Sequence, residues 1–180
     1  MKPIVKAPNP VLTTPAQTVT SFDSKLTDLI QTMKKILLVT DNPKGVGLAA
    51  PQIGQSWRIF ITHPTDKTNV RVFINPVIDH QSNELTDGVP ERSNKLEGCL
   101  SIPKVWGKVK RAATLTLTYQ DETGKSHTEE FNGFLSTIIQ HETDHTNGIL
   151  YTQRVLEQKG KLYQPVKDKE GEEELEEITI

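Results

Sequence analysis

Two hydrophobic rhythms run along the chain. In SFDSKLTDLIQTMKKILLVTDNP, residues 21–43, Leu26, Leu29, Ile30, Met33, Ile36 and Leu37 recur at the helical period. Ser21 or Asp23 stands where a cap is needed, and Asp41-Asn42-Pro43 closes the run. The pattern predicts an amphipathic helix over about residues 23–39 whose role is to pack a core. Before it, Pro3, Pro8, Pro10 and Pro15 forbid a continuous helix, so residues 1–20 read as extended chain with turns. From Gly45 to Pro103 the reading is strand and loop. WRIFITH and VRVFINPVI are β-rich, whereas His80 to Asn94 is polar, holds Gly88 and Pro90, and reads as a surface loop. A second β region spans KVKRAATLTLTYQDETGKSHTEEF, where Thr114, Thr116 and Thr118 alternate with Leu115, Leu117 and Tyr119. Asp121 to Lys125, with Gly124, makes a hairpin turn within it.

The helical rhythm returns in FLSTIIQHETDHTNG. Asn132-Gly133 starts this helix and Asn147-Gly148 stops it. Phe134, Ile138, His141 and His145 step by four, three and four, which keeps them on one narrow stripe. The two imidazoles therefore continue the apolar face and point inward. Thr137, Thr143, Asp144 and Thr146 fall mostly on other faces, and Glu142 sits beside the stripe. Past Tyr151 the chain turns polar. Its end, EGEEELEEITI, holds six glutamates in eleven residues and reads as a solvated acidic end or an edge strand through Leu175, Ile178 and Ile180. The fold class is α+β: mixed or antiparallel sheets around one buried C-terminal helix, with one N-terminal amphipathic helix.

Composition narrows this picture. At 180 residues the chain suits one domain, 1–180, with the tail from about 165 as an appendage. Net charge is -2, which argues against a nucleic-acid or membrane surface driven by positive charge. No run of 18 apolar residues predicts a membrane span. The proline-broken N-terminus lacks an apolar signal core, so no secretory or organellar leader is expected and the expected location is the cytoplasm. Cys99 is the single cysteine, which excludes an intrachain disulfide.

The chemistry turns on H-E-x-x-H. Two histidines four apart on an inward helical face, next to a carboxylate, are costly to bury unless a divalent metal compensates. A catalytic site of this kind has three protein ligands and one open position. The motif that places a third histidine six residues after the second is broken here, because Tyr151 stands in that place. His63, His80 and His127 lie in turns or polar surroundings and read as solvated loop histidines. Cys99, in LEGCLSIP, is a small buried residue on the bland reading and a strong thiolate ligand on the other. A site short of one ligand favours the second. An H-E-x-x-H endopeptidase would instead draw on Glu157 or Glu170, and a third reading is a non-catalytic, metal-stabilised module that binds peptide ends.

KGVGLAAPQIG, residues 44–54, formally contains G-x-G-x-x-A, but Pro51 and Gly54 leave no room for the helix that a dinucleotide site requires. It reads better as a tight strand whose backbone approaches a ligand, with Gln52 supplying an amide. GVGLAAPQIG, EGCLS and QHETDH, in this order and at these separations, resemble the three signature segments of the peptide deformylases. The resemblance implies hydrolysis of the N-formyl group from formyl-methionine of nascent polypeptides, with release of formate. It makes Cys99, His141 and His145 ligands of one divalent metal, natively Fe2+ and often replaced by Zn2+ or Ni2+. By the same resemblance Glu142 is the general acid/base, and Gln52 with the Leu100 N–H binds the oxyanion. Gly47 holds the substrate backbone, and Val46, Phe134 and Ile138 line the methionine pocket. N-formylmethionyl peptides are the implied partners, with transient proximity to the ribosome. Four departures stand out: Thr146 in place of a leucine, no acid at Tyr151-Thr152, a long His80–Asn94 segment, and a tail without the basic-faced helix of some members. Arg111 matches a family arginine and equally suits a salt bridge.

Overall fold

The structure, a computed structural model, describes residues 3–41, 44–167 and 171–179. Helix α1 runs Ser24–Val39, within a residue of the expected span. Asp23 caps it: its Oδ1 accepts from the amides of Lys25 and Leu26 at 3.0 and 3.1 Å. The apolar face buries Leu26, Ile30, Met33, Ile36 and Leu37, each stabilising the fold by roughly 1.5–3 kcal/mol.

Among the described residues, nine strands form two sheets. The first is ordered β1 (Gly47–Ala49), β2 (Ile59–Thr62), β3 (Arg71–Gln81), β6 (Thr114–Gln120) and β7 (Ser126–Asn132). The second is ordered β4 (Glu97–Cys99), β5 (Ile102–Gly107), β8 (Leu162–Lys167) and β9 (Glu173–Glu177). Every ladder is antiparallel. The alternation read in β6 is real, for Leu115, Leu117 and Tyr119 are buried while the threonines between them are half-buried. The turn after β6 is tied by Asp121, whose Oδ1 accepts from the Thr123 and Lys125 amides.

Helix α2, Gly133–Thr146, packs against β1, β2 and β7 and forms the centre of the molecule. A short helix α3, Tyr151–Glu157, follows it and packs on β4 and β5. The sequence reading missed α3 because only Tyr151 and Val155 are buried, too few for a periodic signal.

Other expectations change with the tertiary structure. His80 belongs to strand β3 and His127 to β7, so the irregular segment is 82–96 rather than 80–94. His127 stacks on Tyr119 at 5.4 Å and pairs with Asp121 at 2.7 Å. His63 is buried at the end of β2, where its amide donates to Val46 O at 2.7 Å. Neither is a solvated loop histidine, because each ends up against a neighbouring strand or turn. The acidic tail forms edge strand β9, paired with β8 and exposed throughout, with Leu175 on it. Ile178 packs on the core near α3, and Ile180 lies outside the described residues.

Candidate metal centre and active site

Helix α2 is more enclosed than its apolar stripe suggests. Thr137, Thr143, Asp144 and Thr146, expected away from the inward face, are all buried. Sheet and loop cover every side of the helix, so its polar groups need partners inside the protein. Gln140 meets both backbone groups of Ala112, accepting from its N–H and donating to its carbonyl, each at 3.0 Å. Ser136 Oγ donates to the same carbonyl at 3.0 Å. Asp144 accepts from Arg111 at 3.0 Å and from Arg154 at 2.7 Å. Together these bonds hold the helix in depth and in rotation.

That rotation aims His141 and His145 at strand β4. Cys99 Sγ lies 3.2 Å from His145 Nε2, and the ligand atoms of Cys99, His141 and His145 all fall within 4.8 Å of one another. The residues suit a metal on the chemistry of the donor set. A cation that reaches sulfur at about 2.3 Å and imidazole nitrogen at about 2.0–2.1 Å would fit among donors so spaced. Burial alone would raise the Cys99 thiol, but the two imidazoles reverse this and hold it well below its ordinary value. The thiolate, the form that ligates metals, is therefore favoured.

Glu97 explains how His141 is set. Its Oε1 lies 2.6 Å from His141 Nδ1, and both its oxygens bond Arg111, at 2.7 and 2.8 Å. Burial opposes its charge, yet the Arg111 guanidinium and His141 keep the Glu97 carboxyl well below the usual carboxylate range. As a carboxylate it accepts from Nδ1–H, which leaves Nε2 of His141 free as a ligand atom. Sequence reasoning assigned Glu97 no role, although it stands inside EGCLS. Arg111 was the available signal, and here its salt bridges and the position of the site are one and the same arrangement.

Glu142 is 3% exposed, not a surface acid. Its Oε2 is buried without a hydrogen-bond partner, and burial pushes the carboxyl up to about 7 against the pull of both imidazoles. The carboxylate lies directly over Gly47: a Cβ added there would come within 2.4 Å of Glu142 Oε1. Only glycine leaves the space. Gln52 sits in a single 3-10 turn, Ala50–Ile53, which confirms that no dinucleotide-type helix opens here. Its Oε1 accepts from Ala49 N at 2.8 Å, which turns Nε2 toward Cys99 Sγ at 3.5 Å and Ser101 Oγ at 3.3 Å. Leu100 occupies the turn between β4 and β5.

One cavity is lined by Val46, Gly47, Gln52, Cys99, Leu100, Phe134, Ile138, His141 and Glu142. It thus brings together every site residue named from the sequence except His145, which reaches the same point from behind through Cys99. Val89, Arg92 and Trp106 line it too, and no motif or periodicity pointed to them. The other histidines take no part. Glu157, the downstream acid an endopeptidase would need, is engaged by Arg154 and Gln153, and Glu170 lies outside the described residues.

Comparison with known proteins agrees with this geometry. Residues 1–161 match the family model described as polypeptide deformylase. Peptide deformylase 1 of Bacillus cereus is 40% identical over 152 residues, covering 84% of this chain and 90% of that protein. Peptide deformylase of Borreliella burgdorferi is 38% identical over 165 residues, covering 91% and 94%. The crystal structure of peptide deformylase from Thermotoga maritima superposes with a TM-score of 0.73 at 33% identity, covering 86% of this chain and 97% of that one. The chain belongs to the polypeptide deformylase family, the metal-dependent hydrolases that take the N-formyl group off nascent polypeptides.

Proposed function

We propose that the cleft beside α2 carries out this reaction with Cys99, His141 and His145 as metal ligands and Glu142 as the proton carrier. The observation that carries the assignment is the convergence of those three donor atoms next to a buried, unpartnered carboxylate oxygen. A divalent cation held there supplies Lewis acidity, polarising the formyl oxygen and easing deprotonation of water. Glu142 takes the proton from the attacking water at its carboxylate and delivers it to the departing amine. Negative charge growing on the formyl oxygen is met by the Gln52 amide and the Leu100 N–H. Gln52 is suited to donate because its own oxygen is already bonded to Ala49.

The substrate chain lies along β1. Among the described residues that strand pairs with β2 alone and so offers an edge at Gly47 to which an extended peptide adds. Val46, Phe134 and Ile138 receive the methionine side chain. A thiolate with two imidazoles accepts ferrous iron, zinc or nickel, and the family resemblance makes iron the native metal in this reading, with zinc or nickel as substitutes. We take residues 1–180 as one catalytic unit, with β8 and β9 closing its second sheet. Action on peptides as they leave the ribosome places the enzyme transiently beside it, in the cytoplasm. Among the described residues no helix is long and apolar enough to cross a membrane. The test is metal content of anaerobically purified protein together with formate release from formyl-Met-Ala-Ser. Wild type is expected to hold one metal and release formate, and Cys99→Ser to lose most of both. A Cys99→Ser protein with full metal and turnover would overturn the ligand set.

A further inference from the structure

The segment 82–96, long and without strand or helix, returns to the cleft. It is closed on itself by Val89 N–H to Lys95 O at 3.0 Å, Arg92 N–H to Val89 O at 3.2 Å and Lys95 N–H to Arg92 O at 3.0 Å. Those turns bury Val89 and set Arg92 on the wall of the cavity that holds Cys99 and Glu142. The guanidinium carbon lies 5.0 Å from the centroid of the Trp106 ring. Trp106 lies against Gly98, where a Cβ would come within 2.5 Å of the ring. A glycine in β4 thus lets the indole lie against the strand as a platform for the arginine.

Arg92 Nη1 donates to Leu96 O at 2.9 Å, which uses one of five N–H donors. Among the described residues no carboxylate stands within ion-pairing distance of it. Glu97 acts on it through space, but both Glu97 oxygens are bonded to Arg111 and one also to His141. Burial works against the charge of Arg92. A half-buried guanidinium with free donors and, among the described residues, no carboxylate bonded to it is matched to a ligand that brings one. Lys44 lines the same cavity, and its carboxylate partner, Asp66, is exposed on the surface. A surface pair of that kind is weak and exchanges readily for a substrate group.

We propose that Arg92, assisted by Lys44, binds an acidic side chain in one of the two residues that follow formyl-methionine. The proposal rests on the assignment of this cleft as the deformylase site. Methionine takes the apolar wall at Val46, Phe134 and Ile138 and the backbone takes the β1 edge, and Arg92 and Lys44 line the same cavity, which leaves them for a neighbouring side chain.

The experiment compares amidated formyl-Met-Glu-Ser with formyl-Met-Gln-Ser, and formyl-Met-Ala-Glu with formyl-Met-Ala-Gln. Amidation leaves the side chain as the only carboxylate. In wild type, the glutamate peptide of at least one pair is expected to show about five- to tenfold higher kcat/KM, carried by KM and reduced at high salt. Arg92→Gln is expected to bring that ratio to about one, Lys44→Gln to lower it in part, and Arg92→Lys to restore part of it. A general loss of structure moves both members of a pair together and leaves the ratio standing. Equal rates for both pairs in wild type, or a ratio that survives Arg92→Gln, overturns the proposal. Formate release from amidated formyl-Met-Ala-Ser is measured alongside. A ratio of one together with that release refutes the carboxylate site and leaves the cleft assignment intact.

Discussion

The two flanks of α2 treat their buried carboxylates in opposite ways. On the flank facing residues 111–112, Ser136, Gln140 and Asp144 are bonded to Ala112, Arg111 and Arg154. On the flank facing β1, the Glu142 carboxylate is pressed over Gly47 with one oxygen unpartnered. Both flanks are buried, so exposure does not separate them. The difference is one of role. A satisfied network fixes a helix in place, and a buried acceptor without a partner costs stability unless a ligand or a proton completes it. The first flank sets the position of the second. Arg111 joins them, holding Asp144 on one side and, through Glu97, His141 on the other.

The sharpest way to break this contrast is Glu142→Ala. It should lower kcat/KM by about 10³–10⁴-fold while metal content and unfolding midpoint stay at or above the wild-type values. A matching loss of stability would make Glu142 a structural group like those behind it. Next comes Arg111→Ala, which leaves buried Glu97 with His141 and buried Asp144 with Arg154 and removes the guanidinium between them. We expect about 3–5 kcal/mol of lost stability in urea unfolding, and a cost below 1 kcal/mol would mean that the network does not support the helix. Gln52→Ala should reduce kcat by about 10²–10³-fold through loss of one oxyanion donor, with KM nearly unchanged. An effect confined to KM would remove it from the transition state. Smallest of the four, Ile138→Asp should raise KM for formyl-methionyl peptides about tenfold by placing a charge in an apolar pocket. An unaltered KM would put the methionine elsewhere.

Much of the fold could be read from local pattern. α1 and its Asp23 cap, the alternation of Leu115, Leu117 and Tyr119, the Asp121–Lys125 turn and the limits of α2 all rest on neighbours within a few residues. The same holds for His141, Glu142 and His145, whose spacing alone puts them on adjacent faces of one helix turn. What failed was burial that depends on distant partners. His63 seemed solvated because it precedes Pro64 in a polar stretch, yet it is packed at the end of β2. The four polar residues of α2 seemed outward because periodicity describes one face and says nothing of what covers the others.

The sequence by itself determined the family's three signature segments, the element types between them and the groups we propose for the chemistry. Those follow from short-range geometry and from the fixed chemistry of thiol, imidazole and carboxylate. Only the tertiary structure decided that Glu97 orients His141, that Gln52 turns its amide nitrogen toward Cys99, and that the 82–96 segment brings Arg92 to the cleft. Each of these joins residues or walls distant in sequence. A side chain's protonation, orientation and freedom to bind are set by such neighbours, which no local pattern encodes.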